Sequence, residues 1–439
     1  MILLHTSDWH LGHTWHGQTR REEFSQFFAW IIETIIARNV NVLLIAGDIF
    51  DTANPSPEIQ SDYYGFLKKL SDINSSCFEI PEAEHASAAS RSGCSRAKPT
   101  SHTGSGIKCL SKIVIIAGNH DSPYLLDAPR ELLSSFSVRV VGSPDFFERE
   151  LVEVCGESGE IEMLIAAVPF LREGDIRKFD IGESIECREQ KILNNFKKHY
   201  ADICQLAEQK RDNKPIPLVV TGHLFVDGGK TSEGVREIHV GTLGQVGLDL
   251  FPDGVDYFAF GHLHVPQCVG KNEAYRYSGS PLPISFDEAG QTKSVVLAEF
   301  SGREPKIEIL PVPKFVNVVR VEGGISEIED GIRNLPKDIK SFVEVSYNGS
   351  EFVTELLGKV EEIVSAQEHS DLINVVRVRN CNLNQLQLTP DETNTPLERI
   401  EPIDIFRNLL KNNNVEDSNM NDLLRLYGEV EQEVRLDRK

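Results

Sequence analysis

Gly118-Asn119-His120-Asp121 follows the apolar run Ile113–Ala117 directly, and this grammar, a buried strand released into a polar turn, recurs as far as His264. The other instances are Asp8-Trp9-His10 after Ile2–His5, Gly47-Asp48-Ile49-Phe50-Asp51 after Val42–Ala46, Gly222-His223 after 217–221, and Gly261-His262-Leu263-His264 after 256–260. Helical periodicity fills the gaps. Phe24, Phe27, Phe28, Ile31, Ile32, Ile35 and Ile36 lie at helix spacing within 21–38, and further helices are expected at 57–72 and 185–211. More strands are expected at 162–168, 275–279 and 294–299. Strands alternating with helices predict an α/β protein, with sheet layered between helices.

In open α/β sheets ligands gather where the C-terminal ends of strands release their loops. Five such loops therefore bring carboxylate, amide and imidazole groups to one place, and their glycines let the backbone turn and approach closely. Oxygen and nitrogen donors without thiolate suit Mn²⁺, Fe or Zn²⁺ at a mixed site rather than a structural cysteine–zinc centre. A single Gly-His is ordinarily a core or surface histidine; the specificity lies in the ordered set. His5, His13 and His16 fit no ligand slot and read as core or surface, and Trp9 and Phe50 read as core packing ahead of flanking a substrate.

The chain has 439 residues, 40% hydrophobic and 26% charged, which describes an ordinary globular protein of roughly three domains' length and excludes a disulfide-stapled miniature fold. No apolar run approaches the roughly 20 residues of a membrane helix. The opening Met1–His5 meets Asp8 too soon for a signal peptide. Eight cysteines contain no Cys-x-x-Cys pair, which fits reduced thiols and a cytoplasmic location. Lys and Arg number 45 against 67 Asp and Glu, a net charge of −22, which counts against a freestanding nucleic-acid binder. Bound divalent metals, or a partner that holds the polymer, would reverse that inference.

Residues 1–300 are expected to form the first domain, interrupted at 74–111 by a Ser-, Ala- and Gly-rich stretch that reads as an exposed, disordered loop. Cys77, His85, Cys94, His102 and Cys109 within it lack the spacing of zinc ligands. Residues 301–385 read as a smaller α/β domain, with strands at Val316–Val321, Phe342–Tyr347 and Ile373–Val378 and helices at 325–334 and 353–366. A polar linker over 382–396 then leads, within 386–439, to two helices separated by Asn412-Asn413-Asn414. Met420, Leu423, Leu424 and Tyr427 make an apolar stripe extended by Val434, expected either to pack back on its own domain or to dock another chain.

The ordered motifs resemble those of the calcineurin-like metallophosphoesterases, in particular the branch of DNA-repair nucleases that work with a coiled-coil ATPase. The resemblance rests on His5–Gly12, Ala46–Thr52, Ala117–Ser122, Pro169–Arg172, Val235–Ile238, Gly241–Leu243 and Tyr277–Glu288; it spans most of 1–300 and continues faintly to the C-terminal helices. The 74–111 stretch departs from the family's tight connection there, on the side of the sheet away from the motif loops. The resemblance implies a metallophosphoesterase sandwich with a smaller capping domain, and a two-metal site, most naturally Mn²⁺. It assigns Asp8, His10 and His264 to one ion, Asn119, His223 and His262 to the other, and Asp48 as the bridge. It implies His120 as general acid, with Asp121 orienting it or raising its pKa, and Asp51 hydrogen-bonding a ligand histidine.

It implies double-strand 3′–5′ exonuclease and hairpin or single-strand endonuclease action on DNA. It further implies a homodimer joined to two coiled-coil ATPase chains, docked through Ile405, Phe406, Leu409, Leu410, Met420, Leu423, Leu424 and Tyr427. Two readings stand beside it: a phosphatase or small-molecule phosphodiesterase of the same superfamily, and a metal-stabilised scaffold that does not cut.

Overall fold

The computed structural model describes residues 1–76, 110–144, 146–156, 158–176, 184–232, 246–349, 353, 355–381, 403, 406–407, 410, 420 and 423–427. The loop expected over 74–111 lies outside them, with its cysteines and histidines, except at its ends: the helix Pro57–Ser76 runs four residues past position 72, and Leu110 is buried. The linker at 382–396, the Asn412–Asn414 break, Ile405, Leu409, Val434 and the motifs Val235–Ile238 and Gly241–Leu243 also lie outside the described residues.

Two six-stranded sheets organise the larger of two compact units, which comprises Met1–Arg320 with Pro336–Val343 and Asp371–Val376. The first runs Glu304–Pro311, Ser294–Ser301, Ile2–Thr6, Val42–Ala46, Lys112–Ile116, Val138–Val141. Its last four strands are mutually parallel, so their C-terminal ends lie on one edge. The second runs Gln267–Val269, Asn272–Tyr277, Tyr257–Gly261, Leu218–His223, Ile161–Ala166, Leu151–Cys155, and its central four are likewise parallel.

Burial on both faces explains why the central strands read as unbroken apolar runs. In Val42–Ala46 every residue is buried. Leu3, Val42, Leu44, Val114 and Ile116 face Met163, Ile165, Val219, Tyr257 and Ala259 in a core between the sheets. The opposite face of the first sheet is covered by helices. Arg21–Ala37 buries Phe24, Phe27, Phe28, Ile31 and Ile35 against it, and Pro57–Ser76 contributes Tyr63, Phe66 and Leu70. Ile36, which the periodicity placed on that face, is instead 41% exposed. On the second sheet the covering helix is Ile185–Arg211, started by the Ser184 hydroxyl accepting from Cys187 N and packed through Phe196, Tyr200, Ile203 and Ala207. The result is a helix–sheet–sheet–helix sandwich.

A three-stranded sheet places Ser341–Tyr347 between Asn317–Gly323 and Ile373–Asn380, with helices Ile325–Arg333 and Leu356–Ser365 in the connections. The second compact unit comprises Val321–Leu335, Glu344–Ser370 and Arg377–Lys439. Within it Ile328, Ile332 and Val360 are fully buried, and Phe406 stacks on Tyr427 with ring centroids 4.6 Å apart.

Trp9 and Phe50 belong to the core, at 0% and 1% exposure. Trp9 meets Phe27 and Phe66 edge-on at 5.6 and 5.3 Å, and its Nε1 donates to Thr6 Oγ1. Trp9→Ala should therefore cost about 3–5 kcal/mol of stability, read as a shift of the denaturant midpoint. A change below about 1 kcal/mol would contradict the packing described.

Candidate metal centre

The loops that leave the parallel strands are braced against one another by backbone hydrogen bonds. Asp8 N donates to Gly47 O, His10 N to Asp48 O, Leu11 N to Ile49 O and Asp51 N to Leu11 O, at 2.9–3.1 Å, so the first two loops prolong the parallel pairing of their strands. The second sheet reaches the first through His223, whose Nδ1–H donates to Ala46 O at 2.9 Å. No side chain fits at that junction: a Cβ on Gly261 would stand 1.9 Å from Ala46 O, and one on Gly118 would stand 2.1 Å from Asp48 Oδ1. Asp8, His10, Asp48 and His262 all adopt positive φ, +54°, +47°, +49° and +98°. Strain of this kind, about 1–3 kcal/mol per residue, clusters at functional sites because surrounding structure must hold it.

Three groups among the described residues could hold an ion: Asp8 with His10 and His264, Asp48 with His223 and His262, and His10 with Asp48 and His120, the donor atoms of each lying within 4.8 Å of one another. The donor directions fit a cation. With Nδ1–H committed to Ala46 O, His223 Nε2 faces Asn119 Oδ1 at 3.0 Å and Asp48 Oδ2 at 3.2 Å. His10 Nε2 and His264 Nε2 face each other at 3.2 Å, and His262 Nε2 is buried with no hydrogen-bond partner. Donor atoms crowded together out of water are costly unless a positive charge, a shared proton or a metal ion, sits among them. The hard oxygen and borderline nitrogen donors suit Mn²⁺, Fe or Zn²⁺. Asp8, His10, Asp48, His223, His262 and His264 are all nearly sealed from solvent.

Electrostatics follow from that burial. Burial alone would raise the Asp48 carboxyl, but the surrounding histidines, His223 foremost, hold it well below the usual carboxylate range. Burial works against a charged His223 too, yet the Asp48 charge carries its pKa up to about 9. For His10 and His262 burial prevails and lowers both.

Of the two acidic neighbours, Asp51 stands beside His10 and Asp121 takes backbone partners. Asp121 does not orient His120. Its buried carboxylate accepts from Gly118 N at 2.8 Å, Ile49 N at 3.1 Å and Phe50 N at 3.0 Å, tying two motif loops together. Burial and the Asp48 charge push its pKa up to about 6, against the pull of those three N–H groups. His120 is oriented by a backbone group instead: its Nδ1–H donates to the Asp51 carbonyl at 2.7 Å. The Asp51 carboxylate lies 3.4 Å from His10 Nδ1 and 3.2 Å from His13 Nδ1. Burial would raise it, but these two histidines hold it far below its usual value.

Several contributors carry no signal of their own in the sequence. Ser7 Oγ donates to Asp8 Oδ2 at 2.6 Å, and Arg172 Nη2 donates to the Asp121 carbonyl at 3.0 Å. Glu288 accepts from His264 Nδ1 at 3.2 Å across 24 residues, a separation no motif rule encodes. Ser7, Arg172 and Glu288 do lie inside the stretches that carry the family resemblance, which is the one sign of them in the sequence.

Comparison with known proteins agrees with this geometry. The family model for calcineurin-like phosphoesterases matches residues 1–266. The SbcD subunit of the SbcCD nuclease of Escherichia coli (strain K12) is 28% identical over 435 residues, covering 97% of each chain. The SbcD subunit of Rhodobacter capsulatus is 31% identical over 328 residues, 73% of this chain and 71% of the relative, and that of Bacillus subtilis is 30% identical over 303 residues, 68% and 66%.

Asp121→Asn tests the loop-tying role. An amide turns its NH₂ toward one of the backbone N–H donors, leaving a buried donor unsatisfied at about 1–3 kcal/mol. Denaturation should show that loss, whereas a residue acting only on His120 would leave stability unchanged.

Proposed function

The chain belongs to the calcineurin-like phosphoesterases and, within them, to the SbcD nuclease subunits, and from that premise we propose that it is the Mn²⁺-dependent nuclease subunit of an SbcCD-type DNA-repair complex. The observation that carries this reading is the pair of donor groups, Asp8/His10/His264 and His223/His262, with the Asp48 carboxylate beside His10 at 3.7 Å and His223 at 3.2 Å. Asp8, His10 and His264 would hold one ion and Asn119, His223 and His262 the other, with the Asp48 carboxylate beside both groups. When bound, the ions supply a water of lowered pKa and neutralise charge on the phosphoryl oxygens.

The chain's own groups do the rest. His120 is the general acid, giving its Nε2 proton to the leaving oxygen while the Asp51 carbonyl holds Nδ1–H and fixes the ring. Asp121 acts through the loops it ties. The substrate is DNA, cut as a double-strand 3′–5′ exonuclease and as an endonuclease at hairpins and single strands. With a net charge of −22 the chain draws little DNA affinity from its own surface. A coiled-coil ATPase supplies that grip, in a cytoplasmic assembly built on a homodimer of this chain. Residues 1–300 are its nuclease domain, 301–385 its cap, and 386–439 its ATPase-docking segment.

No helix among the described residues is long and apolar enough to cross a membrane. The phosphoprotein phosphatase reading is disfavoured, since Asp51 is followed by Thr52-Ala53 where those enzymes carry Arg-Gly. The non-cutting scaffold reading leaves the oriented His120 without a task.

His120→Ala should keep Mn²⁺ binding, measured by calorimetry, and lose roughly 10²–10⁴-fold in the rate of Mn²⁺-dependent degradation of linear duplex DNA. Loss of the metals in that variant would overturn the acid assignment. Monoester hydrolysis exceeding diester hydrolysis by the wild type would favour the phosphatase. For docking, replacing the exposed Leu423 and the half-buried Leu424 with Asp should abolish co-purification with the ATPase and leave metal binding intact. A complex that survives both charges would place the docking surface elsewhere.

A further inference from the structure

Behind His264, on the side away from the donor groups, lies a polar cluster shut off from solvent. Glu288 is fully buried and Lys293 is 5% exposed. Glu288 Oε1 accepts from His264 Nδ1 at 3.2 Å and from Ser232 Oγ at 2.6 Å, and Oε2 accepts from Ile284 N at 3.0 Å and Lys293 Nζ at 2.5 Å. The same ammonium donates to the His264 carbonyl at 2.9 Å and to Ser280 Oγ at 3.0 Å. Lys293 thus grips the carboxylate and the backbone of the histidine that the carboxylate faces.

The remaining ligand histidines are backed differently. His10 Nδ1 has the Asp51 carboxylate at 3.4 Å, and His223 Nδ1 has only the neutral carbonyl of Ala46. The position made by Asp8, His10 and His264 therefore has an anionic ligand, the Glu288 carboxylate hydrogen-bonded behind His264, and the Asp51 carboxylate 3.4 Å from His10. The position made by Asn119, His223 and His262 has a neutral amide and, behind His223, a neutral carbonyl. A carboxylate on the far nitrogen fixes the tautomer and raises the basicity of the near one.

We propose that Glu288, locked by Lys293, is the positioning residue for His264: it holds the ring as the Nδ1–H tautomer with the Nε2 lone pair presented, and so makes the Asp8/His10/His264 position the tighter of the two for a divalent cation. This rests on the two-metal reading above. It assigns the two positions different work: the first stays filled at low metal concentration, and the second fills last.

The test is a Mn²⁺ titration of the full chain by calorimetry, wild type beside Glu288→Gln, together with ¹⁵N spectra of the histidine rings recorded without metal. The wild type should bind two ions with separable affinities and show His264, assigned by its disappearance in His264→Asn, as the Nδ1–H tautomer. Glu288→Gln should weaken the tighter step by about 10–100-fold, leave the weaker step in place, and shift His264 toward the Nε2–H form. Gln leaves Lys293 buried without its counter-charge, so if this variant does not fold, Glu288→Gln with Lys293→Met carries the same comparison.

Equal affinities in wild type and variant, or loss confined to the weaker step, would overturn the proposal. So would an unchanged His264 tautomer. A wild type that binds no Mn²⁺ would defeat the two-metal reading instead, and the metal-free spectra would still decide whether Glu288 sets the tautomer.

Discussion

An ionised carboxylate sealed in protein demands positive charge around it, and Asp48, 1% exposed, is where this fold meets that demand. One oxygen takes the His120 backbone N–H at 2.8 Å, and the other is approached by His223 at 3.2 Å and His10 at 3.7 Å. Those three contacts come from three loops, one from the second sheet. The sandwich brings its sheets together at their parallel C-terminal edges, and the glycines at 118 and 261 permit the approach that this meeting needs. A divalent ion would take over the positive charge that His223 supplies to Asp48, and so would stabilise the folded site as well as equip it for chemistry.

The cost of that arrangement appears in the backbone. Four ligand candidates sit at positive φ, where a side chain other than glycine's is strained. Asp8 and His10 alternate with Trp9, which points the other way into the aromatic cluster of Phe27, Phe28 and Phe66. Burial of that indole is the anchor that keeps its two neighbours turned toward the site. The Asp8-Trp9-His10 motif is thus two candidate donors hung on a packing residue.

What was legible in the sequence follows from these forces. The central strands and the helices at 21–37 and 185–211 announced themselves because burial on a fixed face leaves a period. Strands Val138–Val141 and Glu304–Pro311 did not: the first is only four residues, and the second is an edge strand with mostly exposed side chains. The clustering of the candidate donors was legible because each lies at or just past the C-terminal end of a strand. The partners of the donors were not, since a hydrogen bond such as Glu288 to His264 depends on where two loops meet in space. For Asp121 the sequence suggested the wrong partner. Adjacency to His120 pointed to the neighbouring imidazole, whereas a carboxylate beside a glycine turn finds the freed backbone N–H groups first.

The two contacts of Asp51 have a geometric origin. Asp48 and Asp51 lie three residues apart on one loop, and Asp51 N is fixed to Leu11 O. That bond sets the Asp51 carboxylate beside His10 and His13 and sends its carbonyl to His120. One residue therefore spans both a metal-ligand candidate and the candidate acid, with its side chain serving the first and its main chain the second. Substituting its side chain would disturb His10 while leaving the acceptor for His120 in place, so the two functions can be separated at a single position. The backbone half of that role leaves no trace in residue identity, which is why only the assembled loops disclose it.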